Sequence, residues 1–141
     1  MIREYQPTDL DDLLSTWEAA SAVAHGFLAP EFLEQERHNI PNLYLPNAET
    51  WVWEAGGSVI GFIALLGNEV GAIFVDPAYH GTGIGRALMD KARALREGLE
   101  VEVFERNALG RAFYDTYGFE LMHEKIHEPT GLTVLRLKLR G

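Results

Sequence analysis

The chain contains no cysteine among its 141 residues. Disulfides, thiolate metal ligands and a cysteine nucleophile are therefore excluded. The chain also lacks the uninterrupted apolar run of about 18 residues that a membrane-spanning helix requires, and it shows no signal-peptide pattern. We therefore predict no membrane partner and a cytoplasmic location.

Basic residues are few, because 12 lysines and arginines stand against 21 aspartates and glutamates, for a formal net charge of −9. An acidic surface repels phosphate backbones, so we expect no nucleic-acid partner. The charge suits a small cationic or amine ligand, although such acidity more often only aids solubility. The length, without linkers or repeats, predicts a single domain over residues 1–141.

No metal site is predicted either. His80, His123 and His127 lack paired carboxylates at the spacing that metal ligands need. His123 and His127 fall in a predicted strand, where residues four apart share a face but lie far from each other.

The first fifty residues predict two helices. Thr8 is expected to be the N-cap of the first, whose apolar residues recur with the helical period as far as Ala24, and His25 marks its end. The second helix is expected near 30–39, followed by a loop over 41–47.

From Glu49 onward the pattern changes to short strands and turns, which predicts an antiparallel meander followed by alternating helices and strands. Glycines inside strands, at Gly61 and Gly71, indicate a bulge or a close backbone approach. The predicted strands are 51–53, 59–66, 70–75, 99–104, 119–126 and 132–139, and residues 2–5 are a candidate for a further short strand. The later helices are expected to run from the end of the glycine loop, with Ile84 and Leu95 on one face, and over 108–117. The fold class is therefore α/β.

The strongest motif is a strand, a proline stop at Asp76-Pro77 and a glycine-rich loop that opens a helix. The loop reads His80-Gly81-Thr82-Gly83-Ile84-Gly85-Arg86. Such a loop presents unpaired backbone N–H groups to one point, and the helix dipole adds partial positive charge there. The motif therefore predicts a phosphate or pyrophosphate site, and a tight strand-to-helix connection without a ligand is the alternative.

Two common phosphate motifs do not fit this loop. A P-loop requires Gly-Lys-Ser/Thr, but Gly85 is followed by Arg86. A dinucleotide fold requires G-x-G-x-x-G, and counting from Gly81 the last glycine is replaced by Arg86.

The loop resembles the coenzyme-A loop of the GNAT superfamily of acetyltransferases, Arg/Gln-x-x-Gly-x-Gly/Ala, with His80 as the departure at the first position. The family's second motif is matched by Asn107, by Phe113-Tyr114 and by Tyr117-Gly118-Phe119. More distantly, Trp17-x-x-x-Ser21-x-x-x-His25-x-Phe27-Leu28 is similar to the first helix of the bacterial YjaB-like subgroup.

The resemblance implies the GNAT fold, an α/β (α+β) arrangement with a mixed, mostly antiparallel sheet of about seven strands, about four flanking helices and two splayed central strands. It also implies acetyl-CoA as co-substrate, with its pantetheine arm between the splayed strands. Phe113 would line the thiol region, and Asn107 would fix the amide end of the arm. The coenzyme-binding residues implied are Ile73, Phe74, Val75, His80, Gly81, Thr82, Gly83, Ile84, Gly85, Arg86, Asn107 and Phe113.

Tyr114 is the expected catalytic residue. One face of its helix is formed, at about 100° per residue, by Leu109, Ala112, Phe113 and Thr116. Tyr114 lies at the flank of that face, from which it either packs at a sheet edge or directs its hydroxyl into the cleft between strands 70–75 and 99–104.

Without a cysteine or a Gly-x-Ser-x-Gly elbow, no nucleophile for a covalent acyl-enzyme is evident. We therefore expect direct attack of a primary amine on the thioester in a ternary complex. Tyr114 would protonate the leaving thiolate, and a strand amide near Phe74 or Val75 would meet the oxyanion.

The base and the acceptor remain open at this level. His25 is a candidate base, but it equally suits the helix C-terminus, and Glu69 or a water molecule are alternatives. Trp17, His25 and Phe27 are expected to contact the acceptor, an unidentified small-molecule amine. A coenzyme-A-binding module without catalysis, or a protein N-terminal or lysine acetyltransferase, are the competing functions. The oligomeric state is expected to be monomer or homodimer.

Overall fold

The computed structural model of the chain describes residues 1–140, whose seven strands form one mixed sheet with four α-helices on its two faces. The strand order is β1-β2-β3-β4-β5-β7-β6, and only β4 and β5 pair in parallel. The strands are β1 (Ile2–Glu4), β2 (Glu49–Ala55), β3 (Ser58–Leu66), β4 (Glu69–Val75), β5 (Glu100–Phe104), β6 (Phe119–His127) and β7 (Leu132–Leu139). The helices are α1 (Leu10–Ala24), α2 (Pro30–Asn39), α3 (Ile84–Leu95) and α4 (Ala108–Tyr117). The predicted fold class is confirmed.

Two local predictions in the amino-terminal third are wrong. Thr8 is not the N-cap of α1, because a 3₁₀ turn over Pro7–Asp9 precedes the helix, which begins at Leu10. The segment 41–47 is not an open loop, because it continues from α2 as a π-helical turn and a further 3₁₀ turn. No helix of residues 1–140 has the length and apolar character that a membrane span requires.

The 3₁₀ turn exists because Asp9 is bound to the strand before it. Both carboxylate oxygens of Asp9 accept hydrogen bonds of 2.8 Å from the Arg3 guanidinium, and one also accepts the Gln6 N–H at 2.8 Å. Asp9 is buried, and hydrogen bonding by Arg3 holds the pKa of its carboxyl below the usual value. Arg3 also donates to Glu54 of β2 at 2.7 Å, so this contact joins the start of α1 to the sheet.

Replacing Asp9 by Asn should lower the free energy of unfolding by about 2 kcal/mol at pH 7, because a charged, buried hydrogen-bond acceptor is lost. The folded-state pKa of Asp9 is depressed, so its contribution is present above the unfolded-state pKa of about 4 and disappears as pH falls through the folded-state value. Urea unfolding at pH 7 and at about pH 3 measures the difference. Asp11→Asn, at an exposed position of α1, is the control. A deficit in Asp9→Asn that does not shrink in acid would contradict the assignment.

Each face of the sheet has its own apolar core. On the face covered by α1, the core contains Leu13 and Trp17 of the helix and Val52 and Phe62 of the strands. On the opposite face, α3 packs so closely on β3 that a Cβ at Gly61 would lie 3.3 Å from side-chain atoms of the helix. The close approach predicted at this glycine is confirmed.

A β-bulge at Gly71 changes the orientation of β4. Leu65 pairs with Val70, whereas the preceding Ala64 pairs with Ala72, so Gly71 is an extra residue in the strand. Val70 belongs to the core on the α3 side, but Ala72 packs against the core on the α1 side. The bulge therefore reverses the alternation of side chains over the rest of β4.

β4 and β5 pair only at their beginnings and then separate. Their register contains the pairs Glu69–Glu100 and Val70–Val101, although β4 continues to Val75 and β5 to Phe104. Two central strands therefore enclose an open, V-shaped gap in the sheet. The two splayed strands that the family resemblance implied are present.

Candidate active site

The glycine loop lies where β4 ends, beside the open gap. Gly81 and Gly83 have φ values of +79° and +87°, which L side chains rarely adopt. Gly83 is the N-cap of α3 without a side-chain cap, and a Cβ placed on it would meet nothing within 4 Å. The first N–H groups of α3, from Ile84 to Arg86, precede the first intrahelical bond at Ala87. This arrangement suits an anion such as a diphosphate.

Three side chains of the loop make contacts that stabilise it. His80 Nε2 lies 3.0 Å from the carbonyl oxygen of Val75, so this nitrogen carries the proton and donates. His80 therefore closes the loop on its own strand, which accounts for a histidine at the first motif position. Thr82 donates to the carbonyl of Tyr79, and the Arg86 guanidinium carbon lies 5.9 Å from the centre of the Tyr117 ring.

Phe113 of α4 packs directly on the loop helix. A Cβ at Gly85 would lie 3.2 Å from Cε1 of Phe113, so glycine is needed for α3 and α4 to approach each other here. This contact lies at the first turn of α3, the phosphate end of the candidate site. The role predicted for Phe113, next to a thiol, is not supported by this neighbourhood.

The backbone of β4 directs polar groups into the gap. Asp76 N–H donates to the Ile60 carbonyl at 2.8 Å, and Phe74 is opposite Phe62 in β3. Because hydrogen-bonding direction alternates along an antiparallel strand, Phe74 also bonds toward β3, whereas Ile73 and Val75 point away from it. Their N–H groups therefore face the side from which β5 has diverged.

An aromatic cluster lies across the gap on the α1 side. The His25 ring, just after α1, meets Phe27, Phe74 and Phe104 edge to face, with centroid distances of 5.9, 6.1 and 5.6 Å. Phe74 comes from β4 and Phe104 from β5, so His25 lies between the two splayed strands. Burial lowers the pKa of His25 below its ordinary value. A histidine that balanced the helix C-terminus by its charge would instead have a raised pKa.

Asn107, the N-cap of α4, contacts this histidine. Its Oδ1 accepts the Gly110 N–H at 2.9 Å, and its Nδ2 lies 3.3 Å from Nε2 of His25. Asn107 is itself buried. A cleft of about 420 Å³ opens beside the pair, between the end of α1 and the start of α4. The residues that line this cleft are Val23, Ala24, Gly26, Phe27, Arg106, Asn107, Ala108 and Leu109.

Tyr114 is buried on the opposite face of the sheet, between the rings of Phe113 and Phe119 at centroid distances of 5.5 Å each. The expectation from helical periodicity was wrong, because Leu109 is 51% exposed and Thr116 is also exposed. α4 packs on β6, and that contact brings Tyr114 to the centre of the buried face. Burial raises the pKa of Tyr114, so its hydroxyl stays protonated at neutral pH.

Two residues considered from the sequence lie away from the gap. Trp17 belongs to the core under α1, so its predicted contact with the acceptor is not supported. Glu69 lies at the closed end of the V, where it pairs with Arg136 at 3.2 Å, and is therefore not a base for chemistry near Val75. Within the part of the chain described, no three His, Asp or Glu side chains are grouped so that they could hold a metal ion.

Three residues of the site were missed. Phe104 ends β5, and its alternation with the buried Val101 and Val103 could have placed it on the α1 face. Arg106 covers Phe27 at 5.0 Å, and Gly110 leaves room for Asn107, since a Cβ there would lie 2.5 Å from Nδ2. The Arg106 contact has no local signal, because it depends on where α1 ends relative to α4. Gly110 could have been found, because it lies three residues after the N-cap Asn107 and its N–H is the one that this side chain accepts.

Comparisons with known proteins agree with this geometry. Residues 46–121 match the acetyltransferase (GNAT) domain. The chain is 32% identical to the peptidyl-lysine N-acetyltransferase YiaC of Escherichia coli over 86% of this chain and 84% of that protein. It is 30% identical to the peptidyl-lysine N-acetyltransferase YjaB of Escherichia coli over 85% and 82% of the two chains. The chain therefore belongs to the GNAT family of acetyltransferases, and it is an acyltransferase rather than a non-catalytic module.

Solved structures share the fold of this chain. The solution structure of apo-form YjaB from Escherichia coli superposes with a TM-score of 0.89 at 26% identity, covering 100% of this chain and 97% of that one. The PaiA N-acetyltransferase from Thermoplasma acidophilum, solved in complex with coenzyme A, superposes with a TM-score of 0.77 at 18% identity, covering 100% and 98%. The YjaB-like resemblance is confirmed.

Proposed function

We propose that the chain transfers the acetyl group of acetyl-CoA to the ε-amine of a lysine side chain in a polypeptide. The observation that carries the proposal is the gap in the sheet, which joins two different environments. On the α3 side lie the glycine loop and Tyr114. On the α1 side lie the rings of Phe27, Phe74 and Phe104 around His25, next to the cleft between α1 and α4. A thioester held from one side can therefore meet an amine that arrives from the other.

The residues on the α3 side fit a coenzyme-A arm. The free N–H groups at the start of α3 match a diphosphate. The outward-facing backbone of Ile73 and Val75 would bind the pantetheine amides as an added strand would. The Val75 carbonyl accepts His80, and the Val75 N–H, which faces the gap, is the donor available to the acyl oxygen. A Phe74 N–H directed toward β3 is the poorer candidate for the oxyanion.

The acceptor side fits a lysine in an extended segment. Its aromatic walls suit a straight methylene chain that ends in an amine, since ring edges and faces pack well on alkyl groups. Beyond these aromatic rings, the α1-side face of β5 and β7 carries partly exposed charges such as Glu102 and Arg136. A polypeptide could lie over this strand surface. Both named relatives, YiaC and YjaB, are peptidyl-lysine N-acetyltransferases, which favours a peptide over the small amine first expected.

The chemistry then requires one new bond and one broken bond. The neutral amine attacks the acetyl carbonyl carbon, the carbon–nitrogen bond forms and the carbon–sulfur bond breaks. The attacking nitrogen gives up one proton to water as the amide forms. The Val75 N–H stabilises the oxyanion, and Tyr114 gives its proton to the departing sulfur. No residue of the chain becomes acylated, because the two substrates react directly while held together.

A panel of acceptors with acetyl-CoA tests the proposal. The panel contains a lysine peptide with a blocked N-terminus, the same peptide with acetyl-lysine and a free N-terminus, and free alkyl diamines. We expect kcat/KM for the blocked lysine peptide to exceed that for the diamines at least about tenfold, because backbone contacts worth about 1.4 kcal/mol suffice for that ratio. Thiol release measures the rate, and mass spectrometry locates the acetyl group. Transfer to free amines alone would contradict the peptide acceptor.

A further inference from the structure

β6 is a long strand at the edge of the sheet, and its outer side pairs with no other strand of residues 1–140. It has nine residues, whereas β1 at the opposite edge has three. Residues 120–126 are exposed, and Leu121 and Ile126 are each 59% exposed. Long edge strands that carry exposed apolar residues are sites at which a further strand can pair.

The hydrogen bonds of β7 determine which backbone groups of β6 face outward. The Leu139 N–H donates to the Leu99 carbonyl at 2.9 Å. The Thr133 carbonyl accepts the Glu105 N–H at 3.0 Å, so every second residue of β7, from 133 to 139, bonds toward β5. The residues opposite them in β6 are therefore in non-hydrogen-bonded pairs and direct their own N–H and C=O groups away from β7. These outward-facing residues are Phe119, Leu121, Glu124 and Ile126.

A β-bulge makes the spacing of these residues symmetric. The register with β7 shifts by one residue between Leu121 and His123, where Met122 is an extra residue. Two outward-facing residues precede the bulge and two follow it, at equal separations from a centre between Met122 and His123. A strand with this pattern is complementary to a second copy of itself that runs antiparallel about a two-fold axis at that centre.

In this arrangement the backbone groups of the two copies match. Leu121 lies opposite Glu124 of the second copy. Phe119 lies opposite Ile126 of the second copy. Both members of each pair direct N–H and C=O groups outward, so each pair exchanges two hydrogen bonds. A register shifted by one residue would instead oppose outward-facing groups to groups already bonded to β7.

The same register brings opposite charges together on the α1 side of the sheet. Glu120 and Lys125 both lie on that side, by their pairing with β7. Glu120 of each copy lies opposite Lys125 of the other, in a non-hydrogen-bonded pair where side chains are closest. Within one chain Lys125 binds Glu102 at 2.8 Å, and Arg140 lies 3.8 Å from Glu120. The new pairs therefore extend these contacts into a row of alternating charges across the two-fold axis.

The opposite face of the paired strands is apolar. The partners of Phe119 and Leu121 in β7 belong to the core on the α3 side, so these two side chains lie on that face too. Leu121 lies diagonally opposite Ile126 of the second copy, at a separation that long side chains can span. The exposed apolar residues of each copy therefore cover those of the other and remove their surface from water.

We infer that β6 is a homodimer interface, at which two copies of the chain pair antiparallel about a two-fold axis and join their seven-stranded sheets edge to edge. A bulge and a lysine often prevent edge strands from pairing. A second copy accommodates both, because it carries the same bulge at the axis and a glutamate opposite the lysine. β7 and β5 lie between this edge and the gap, so the glycine loop stays accessible in the dimer.

The first experiment measures the mass of the wild-type protein by sedimentation equilibrium. We expect twice the mass of the chain at a concentration of about 100 µM, since an edge pair with matched charges and apolar contacts supports a dissociation constant in the micromolar range. A wild type that is monomeric at that concentration overturns the inference.

Charge reversal then tests the register. Glu120→Lys opposes two lysines at each of the two symmetric positions, and Lys125→Glu opposes two glutamates. We expect either variant alone to raise the dissociation constant at least about tenfold. An equimolar mixture of the two variants should form a heterodimer of nearly wild-type stability, because every lysine then faces a glutamate. Glu97→Lys, an exposed position outside β6, is the control and should dimerise like the wild type.

Both single variants should remain folded, because positions 120 and 125 are exposed; circular dichroism checks this. A mixture of folded variants that stays monomeric overturns the pairing of Glu120 with Lys125, and so does a single variant that dimerises like the control.

Hydrogen exchange distinguishes strand pairing from any other contact between copies. The N–H groups of Leu121 and Glu124 should exchange at least about tenfold more slowly in the wild-type dimer than in monomeric Glu120→Lys. The Lys125 N–H, which bonds to β7, should be protected in both. A dimer with unprotected Leu121 and Glu124 amides would use another surface and overturn the inference. Protection that arises only when the lysine peptide is added would assign the edge to the peptide and overturn it likewise.

Discussion

Tyr114→Phe should lower kcat by about 100-fold or more, because a general acid typically contributes that much to proton transfer. KM for acetyl-CoA should change by less than about threefold, since the phenyl ring that packs between Phe113 and Phe119 is retained. Burial raises the pKa of Tyr114, so the wild type should show no alkaline loss of kcat up to about pH 10, where an ordinary tyrosine ionises. Thiol release with the lysine peptide measures both constants.

Tyr117→Phe is the matched control for this variant. Tyr117 lies on the same helix, and its hydroxyl donates to Asp90 of α3. Burial and this carboxylate raise the pKa of Tyr117 to about 12, but the hydroxyl is occupied by a contact between helices. We expect near wild-type kcat from Tyr117→Phe. A Tyr114→Phe enzyme that turns over like the control would exclude Tyr114 as the acid.

Gly83→Val should weaken acetyl-CoA binding by about 100-fold, which corresponds to two lost hydrogen bonds to a charged group at about 1.5 kcal/mol each. The branched side chain would occupy the open space above the first N–H groups of α3, where a Cβ meets no protein atom. It would also strain a backbone position with φ of +87°. Isothermal titration calorimetry with acetyl-CoA measures the loss.

Gly57→Val is the control that distinguishes a loss of acetyl-CoA binding from the effect of backbone strain at a positive φ. Gly57 has φ of +83° and equally open surroundings, but it lies in the hairpin between β2 and β3 and not in the glycine loop. Both variants should lose similar thermal stability, and only Gly83→Val should lose affinity. Equal acetyl-CoA affinity in the two variants would mean that the amides at the start of α3 do not bind the diphosphate.

Most of the fold was accessible from the sequence because the patterns that determine it are local. Alternating apolar residues and the glycine turns identified β2, β3 and β4, and Gly118 correctly closed α4. The errors at Thr8 and at 41–47 arise where tertiary contacts, rather than the local sequence, determine the backbone structure. Arg3 of β1 binds both Asp9 and Glu54 of β2, and no local signal at Thr8 reports that contact.

For the candidate site, too, the residues in local motifs could be predicted from the sequence, whereas contacts between distant residues could not. The predictions for the glycine loop, Asn107 and Tyr114 came from motifs whose residues are close in sequence, in the case of Asn107 and Tyr114 through the family resemblance. The contact between His25 and Asn107 joins residues 82 positions apart, and it exists only because α1 ends above the gap between the strands. Helical periodicity also misjudged α4, since the side that is buried depends on where β6 packs rather than on the apolar residues of the helix.

The bulge at Gly71 absorbs one residue, so that β4 stays in register with β3 on both sides of it. If Gly71 took a regular place in the ladder instead, every later residue of β4 would move by one pairing position, and Phe74 would turn from the α1 side toward α3. The bulge thus decides that the amides of Ile73 and Val75, rather than that of Phe74, face the gap beside β5.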